Sequence, residues 1–359
     1  MHMNRRKLVT TTAAAASGLM AAHRSAVPAT KPGRLKYLQI GVGHPHANKI
    51  LQYSASESWE VIGIVEENPE LRRRAETSIP YQNYNFLSLE EGLNTPGLTA
   101  VGIETEIRDL LHYAEIAIDA GFHIHLDKPA GTDFNRYQKI LRKAHRKNLV
   151  SQMGYMYRFN PAIQLLHELI DAGALGEIFE THAVMSKVIT PASRQILDEF
   201  AGGTMFELGG HIIDLTIGVL GKPETITPYP RRVIDDSNDT LVDNMLAVLE
   251  YPKATATVRA TGVEVEGFSR RHFAVCGTGG TVHIQPLDRP SIKVALTNTM
   301  KLGDRVFKKG HTEIDFGSYQ RYAGDVDDFA QTIRGEKENS YPSTHDLVVQ
   351  QSLLAASGM

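Results

Sequence analysis

Only one cysteine, Cys276, stands among 359 residues. That excludes an internal disulfide framework and any cysteine-rich zinc or iron–sulfur site, and the thiol reads as a buried apolar filler. No sign of charge dominates either, with 38 Lys+Arg against 41 Asp+Glu and a formal net charge of -3. The chain has no electrostatic footprint for nucleic acid and no single-sign field to steer a polyion, so the expected partner is small or neutral. Long apolar runs are missing too. The longest, Leu8 to Ala22, is broken by Thr10, Thr11, Thr12, Ser17 and Gly18, too short and too polar for the ~20 residues of a bilayer-spanning helix. There is no internal repeat, and low complexity is confined to the N-terminal alanines. At ~100–200 residues per domain, the length implies two domains.

What is present begins with an address. Asn4-Arg5-Arg6-Lys7-Leu8-Val9 precedes a weakly hydrophobic Ala/Thr run, and Ser25-Ala26-Val27-Pro28-Ala29 offers small residues for cleavage. The segment resembles a twin-arginine export signal, with Asn4 in place of the usual Ser or Thr and Leu8 in place of Phe. It implies export of a folded, cofactor-loaded protein to the periplasm; a disordered basic tail on a cytoplasmic protein is the alternative. Residues 1–33 are therefore read as signal and linker.

From Leu35 short apolar runs alternate with helical patterns. Strands are expected at 37–40, 61–65, 99–103, 122–126 and 149–153, and helices from about Pro45, through Leu71 to Arg74, across 110–120 and across 134–145. This is βαβ logic, a parallel sheet covered on both faces. After Pro161 one helix near 163–171 gives way to long alternating segments at 178–188, 244–263, 271–284 and 291–297, interrupted by a helix at 203–220 and closed by helices near 321–334 and 344–356. The fold class is α/β: a Rossmann domain at 34–155, an α+β domain with an open, mostly antiparallel sheet at 156–335, and a C-terminal helix at 336–359.

Gly41 and Gly43 sit where the first strand meets the first helix, where lack of a Cβ permits a tight turn and lets backbone N–H groups approach a pyrophosphate. The third glycine is replaced by His46. Glu66 follows the second strand roughly 20 residues on, where a carboxylate can bind ribose hydroxyls, and with Glu67 it favours NAD over NADP. Arg72, Arg73 and Arg74 are the only nearby groups suited to a 2′-phosphate, and a charge run on a helix is usually a solvated face. Further along, Lys128 stands just beyond a strand at the ligand-binding edge of the sheet, its direction stiffened by Pro129. Glu207, His211 and Asp214 fall at i, i+4 and i+7, one face of an otherwise apolar helix, which marks either a cavity or a satisfied buried network.

The glycine turn, Asp127-Lys128-Pro129, Gly154-Tyr155-Met156-Tyr157-Arg158-Phe159-Asn160-Pro161 and Gly203 through Asp214 resemble, in this order and spacing, the glucose-fructose oxidoreductase/inositol dehydrogenase (Gfo/Idh/MocA) family. The resemblance implies a nicotinamide cofactor between the domains and a C-terminal sheet used for substrate and for homo-oligomer contacts. It assigns Lys128, Glu207 and His211 to catalysis. Tyr155, Arg158, Asn160 and Asp214 fall to the substrate, and Gly41, Gly43, His44, Pro45, His46, Glu66, Glu104, Thr105 and Lys128 to the cofactor. His211 would be the general base toward a secondary alcohol of a sugar, glycoside or cyclitol, and Lys128 would stabilise the alkoxide. Departures are Glu207 for the usual Asp, Asp127 for the usual Glu, and acidic Glu104 and Glu106 where Ala-Thr-Pro is commoner.

Three other readings compete. NAD could stay bound while a transient keto-sugar permits glycoside cleavage or epimerisation, which export favours because free NAD is scarce outside the cytoplasm. The fold could serve a non-catalytic sugar or nucleotide sensor. Glu207, His211 and Asp214 with His182 could hold zinc or manganese, although the resemblance requires no metal. Deleting Arg5 and Arg6 should trap the protein in the cytoplasm; fractionation that still finds it exported would refute the signal.

Overall fold

The computed structural model describes residues 33–359, and the twin-arginine segment lies outside the described residues. The first half builds the parallel sheet that the alternating pattern calls for. Its strands are β1 (Leu35–Ile40), β2 (Trp59–Val65), β3 (Phe86–Leu87), β4 (Leu98–Ile103), β5 (His123–Leu126) and β6 (Ser151–Met153), in the order β3-β2-β1-β4-β5-β6. All five pairings are parallel. The crossovers are α1 (Ile50–Ala55), α2 (Pro69–Glu76), α3 (Leu89–Leu93), α4 (Leu110–Ala120) and α5 (Phe134–Arg146). At two residues, β3 is too short to leave a periodic signal.

Local chemistry fixes these helices. The Asn68 side chain accepts the N–H groups of Glu70 and Leu71 and so caps α2, with Pro69 at its first position. In α4, Leu110, Leu111, Ala114, Ala117 and Ile118 recur at helical spacing and are buried, and Gly121 at φ 91° ends the helix in the left-handed region. The strand order reverses between β1 and β4, so their carboxyl ends form a crevice, the usual ligand site of an open α/β sheet.

The second half begins with α6 (Pro161–Asp171), β7 (Ile178–Ser186), α7 (Pro191–Leu197), α8 (Gly210–Leu220), β8 (Thr225–Arg231), β9 (Asn244–Glu250), β10 (Thr255–Thr261) and α9 (Gly267–Arg270). It continues through β11 (His272–Gly277), β12 (Gly280–Ile284), β13 (Ser291–Leu296), β14 (Met300–Leu302), β15 (Arg305–Phe307) and β16 (Gly310–Asp315) to α10 (Ala323–Ile333) and α11 (Ser343–Ala356). Eight strands form one sheet in the order β16-β13-β12-β11-β7-β10-β9-β8, antiparallel except for β7 beside β10. The expected single segments 244–263 and 271–284 are each a hairpin. β8 carries Pro228 and Pro230, which mask it as a strand and confine it to the sheet edge, where no outer neighbour needs their missing N–H groups. Cys276 on β11 is half-buried and not the fully buried filler expected.

The late helix α10 packs back onto the first sheet. In α10, Val326, Phe329 and Ala330 join Tyr37, Ile50, Tyr53, Trp59 and Ile64 in a core on the first sheet. The Trp59 indole donates to the Val326 carbonyl at 3.0 Å. Residues 34–359 accordingly form one contact-dense unit.

Close packing against this core sets one sharp requirement. A methyl group at Gly102 on β4 would lie 1.8 Å from Tyr37 Oη, and Tyr37 is buried and stacked on Tyr53 at 3.6 Å. Gly102→Ala should destabilise the fold by about 1–3 kcal/mol or more, read as a lowered urea midpoint; an unchanged midpoint would show that Tyr37 can move.

Candidate active site

The phosphate-turn glycines are required by geometry. Gly41 has φ 91°, and a Cβ there would sit 2.5 Å from the Thr105 nitrogen; at Gly43 it would sit 2.8 Å from the Glu106 side chain. The turn is thus pressed against the end of β4. Glu66, at the end of β2, accepts the Val42 N–H at 2.9 Å and the Asn68 N–H at 2.8 Å, and burial raises its pKa. Together with Gly41, Thr105 and Tyr113 it lines a small cavity of about 80 Å³. The three arginines of α2 turn elsewhere: Arg72 to Glu76 and the Phe86 carbonyl, Arg73 to the Pro69 carbonyl, Arg74 to Glu70.

Beneath the turn lies an ion cluster whose anchor, Lys49, no sequence motif marks. Its ammonium, fully buried, donates to Glu104 at 2.9 Å and to Asp127 at 2.8 Å. Glu104, which the resemblance assigned to the cofactor, is fully buried inside the protein against Lys49. Burial and the neighbouring Asp127 charge raise its pKa, while Asp127, against the effect of burial, is held well below the ordinary value by the neighbouring histidines and Lys49. The second oxygen contact is shared: Asp127 Oδ1 accepts the Lys128 N–H at 2.7 Å and faces His46 Nδ1 at 3.1 Å. Gly154 makes room for this, because a Cβ there would lie 3.0 Å from the Asp127 carboxylate.

These bonds assign the imidazole protons. His44 Nδ1 accepts the His46 N–H at 3.2 Å, so Nε2 carries the proton and donates to the Lys128 carbonyl at 3.0 Å. An ionised Asp127 makes His46 Nδ1 the donor and leaves Nε2 unprotonated. Burial lowers His44 to about 3 and His46 to about 4, so both are neutral near pH 7. Donor atoms of His44, His46 and Asp127 lie within 4.8 Å of one another, but His44 Nδ1 already accepts the His46 N–H, and the Asp127 oxygens are engaged with Lys49, the Lys128 N–H and His46.

Above this layer is a cavity of about 240 Å³ lined by His46, Lys128, Tyr157, Glu207, His211 and Tyr322 among others. Glu207 sits in a π-helical turn, Met205–Gly209, that precedes α8, a wide turn frequent at functional sites. The Lys128 amine, buried, donates to the Glu207 carbonyl at 2.9 Å and lies 3.6 Å from its carboxylate; Lys187 approaches the other oxygen at 3.7 Å. Burial pushes Glu207 upward, yet the two ammoniums outweigh it and hold the carboxyl at about 2; burial lowers Lys128. His211 has no hydrogen bond at Nδ1, and burial followed by the Lys128 charge keeps it well below 6.5, a neutral imidazole.

Four expected substrate ligands do other work. Arg158 bridges a buried carboxylate pair: Nε and Nη2 both donate to Asp214, the closest contact being 2.6 Å, and Nη2 also donates to Asp346 at 2.6 Å, while its guanidinium lies 4.9 Å from the Tyr155 ring and 4.2 Å from Tyr341. Asp214 also accepts from His345 at 3.0 Å. Asn160 caps α6 by accepting the Ala162 N–H and donates to the Leu287 carbonyl at 2.8 Å. Tyr155 packs edge-on to His211, ring centres 6.0 Å apart, while Tyr157 takes the cavity position. His182, bonded to Thr257 on the second sheet, is not with Glu207 and His211, so the proposed zinc or manganese set does not assemble. A larger open groove of about 740 Å³ beyond Arg158 reaches none of Lys128, Glu207 and His211. Lys187, Arg271 and Arg321, which line the same cavity as Lys128, Glu207 and His211, stand at strand and loop ends outside any motif.

Glycine turn, ribose carboxylate and a polar cavity at the crevice define a dinucleotide-binding oxidoreductase. Two family models agree: residues 35–155 match the oxidoreductase family with an NAD-binding Rossmann fold, and residues 163–283 match the GFO/IDH/MocA C-terminal domain. The chain belongs to the GFO/IDH/MocA oxidoreductase family. It is 25% identical over 225 residues to the oxidoreductase YhhX of Escherichia coli, covering 62% of this chain and 64% of that one. It is 28% identical over 173 residues to scyllo-inositol 2-dehydrogenase (NADP(+)) IolW of Bacillus subtilis, 47% of each. These matches span about half to two thirds of the relatives' length. Among solved structures, UDP-N-acetylglucosamine 3-dehydrogenase GnnA from Acidithiobacillus ferrooxidans shares the fold, with TM-score 0.74 and 20% identity over 90% of this chain and 97% of that one. An oxidoreductase from Agrobacterium radiobacter, in complex with NAD+, L-tartaric acid and magnesium, does so with TM-score 0.74 and 17% identity over 90% of this chain and 96% of that one.

Four buried histidines, His44, His46, His125 and His211, all have folded pKa values below the ordinary 6.5. The unfolded chain binds more protons than the native one below that value, so stability is full above about pH 6.5 and falls as pH drops toward about 4, by up to ~1.4 kcal/mol per pH unit for each histidine. Urea midpoints that stay level from about pH 7 to about pH 5 would contradict this.

Proposed function

We propose that this protein is an NAD-dependent dehydrogenase acting on a secondary alcohol of a sugar, glycoside or cyclitol. The observation that carries the reading is the convergence of a buried amine, an ionised carboxylate and an unpartnered neutral imidazole, Lys128, Glu207 and His211, on one cavity beside the glycine turn. The residues present fit a nicotinamide dinucleotide: Gly41 and Gly43 leave a cradle that a Cβ would fill, and Glu66 stands at the ribose position. When bound, such a cofactor supplies the hydride acceptor. The rest falls to the protein. His211 takes the hydroxyl proton, and its neutral state at working pH suits that role. Lys128 donates to the same oxygen as negative charge develops, and Glu207, kept ionised by two ammoniums, accepts from a neighbouring hydroxyl.

The preference for NAD over NADP is supported by Glu66, Glu67 and Glu106 around the small cavity and by the engagement of all three α2 arginines elsewhere. Export by the twin-arginine route, with the cofactor carried along, and self-association through the eight-stranded sheet belong to the same proposal. Purified protein should bind NAD more tightly than NADP and reduce it with at least one member of a sugar and cyclitol panel. Lys128→Ala should lower kcat/KM by roughly 10²–10³ while NAD titration by fluorescence stays close to wild type. Retained turnover would place the chemistry elsewhere, and absence of nicotinamide binding would end the reading.

A further inference from the structure

The catalytic cavity is lined by four cations, Lys128, Lys187, Arg271 and Arg321, and by one carboxylate, Glu207. Lys128 and Lys187 share that carboxylate, each approaching a different oxygen. Arg271 is 4% exposed and rigidly built in: Nε donates to the Ser186 carbonyl at 3.0 Å, Nη1 to Asp288 at 3.1 Å, and its plane lies 3.8 Å from the Phe268 ring. Its Nη2 forms no hydrogen bond among the described residues. Arg321 is exposed, rests near the Tyr322 ring at 5.1 Å and the Met156 sulfur, and makes no ion pair among the described residues. Counting Asp288 behind Arg271, cations outnumber carboxylates two to one around a confined space of about 240 Å³.

Such an excess is unfavourable in a partly dehydrated cavity until an anion enters, since like charges repel and the buried Arg271 guanidinium has lost most of its water. The pyrophosphate of a dinucleotide does not account for it. Arg271 and Arg321 line neither the cavity that contains Gly41 nor the one that contains Gly43; only Lys187 touches the latter. Nor does the α2 arginine run contribute, since it faces away. A guanidinium fork with a free edge, held close to an aromatic ring, is the side chain best matched to a carboxylate or phosphate group. The cavity is also smaller than the ~300–1,000 Å³ of common ligand sites, which fits a monosaccharide and not a nucleotide sugar.

We propose that the substrate is an anionic monosaccharide, a sugar acid or a sugar phosphate, whose charged group is bound by Arg271 and Arg321 while its reacting hydroxyl lies at Lys128 and His211. This rests on the dehydrogenase reading and revises the expectation of a neutral partner. Calorimetry on the NADH-loaded protein, which cannot oxidise an alcohol, can test it without turnover, using D-glucuronate, D-galacturonate and D-glucose 6-phosphate against the neutral methyl glucoside and galactoside. At least one anionic probe should bind roughly tenfold or more tightly than its neutral counterpart, and the carboxylate and phosphate arms show which anion is meant. The gap should shrink at ~0.5 M salt, where screening is nearly complete. Arg321→Gln should cost the anionic probe about tenfold, whereas Lys301→Gln, a cation on the separate β14–β15 ribbon, should leave its affinity unchanged. Equal or tighter binding of the neutral sugars, no binding of any anionic probe, or equal behaviour of the two variants would overturn the inference. Oxidation of a neutral sugar by the same preparation would then leave the dehydrogenase reading intact, whereas failure to bind NAD would remove that reading first.

Discussion

A single buried ammonium holds the nucleotide-facing edge of the first sheet in place. Lys49, entirely removed from solvent, lies between Glu104 at the end of β4 and Asp127 at the end of β5. Removing one partner of such a pair typically costs about 3–5 kcal/mol, because an uncompensated charge remains, so the ends of both strands and the start of α1 are coupled. The Asp127 carboxylate thereby becomes a fixed acceptor. From it hang the Lys128 N–H and the His46 ring, and from the Lys128 carbonyl hangs His44. The direction of the Lys128 side chain is a downstream result of that ion pair. The histidine where a third glycine is usual is not an ornament of the phosphate turn but a strut reaching the strand that carries the lysine.

The second lobe is clamped to this frame by another buried charge cluster. Arg158 joins the segment after β6 to α8 through Asp214 and to α11 through Asp346, with tyrosine rings on both sides. Gln350 of α11 reaches across to the Ala130 N–H and the Gly131 carbonyl, just beyond Pro129. The loop bearing Lys128 is therefore held from below by Asp127 and from the side by the last helix of the chain. Glu207 and His211 come from the lobe that Arg158 fixes, so Lys128, Glu207 and His211 meet on one cavity because two independent ionic clusters agree on one geometry.

Much of this was legible in the residues. The five longer strands of the first half, with α2, α4 and α5, follow the sequence pattern to within two residues because they are bounded by caps, glycines and apolar periodicity. The helix expected from about Pro45, by contrast, begins as α1 only at Ile50, and β3 and α3 left no signal. Lys128, Glu207 and His211 were found from position relative to strand ends and helix spacing, and all three line the cavity. What stayed hidden depended on distant packing. Lys49 looks like an ordinary helix lysine until Glu104 and Asp127 are seen around it. Asp214 shares a helical stripe with His211, yet the stripe alone could not tell a cavity from a salt bridge to Arg158. Arg271 and Arg321 sit at loop ends with no local signature, and the two prolines of β8 concealed an edge strand. The docking of α10 onto the first sheet reverses chain order, which no local pattern encodes.

That docking has an optical consequence. The chain contains one tryptophan, Trp59, placed on β2 with its indole bonded to the Val326 carbonyl and its ring stacked on Phe329 at 5.5 Å. The sole indole chromophore is thus housed by residues more than 260 positions away along the chain. Its emission colour registers the closure of the chain's late segment onto its early one, and so reports the joining of the two lobes without any added label.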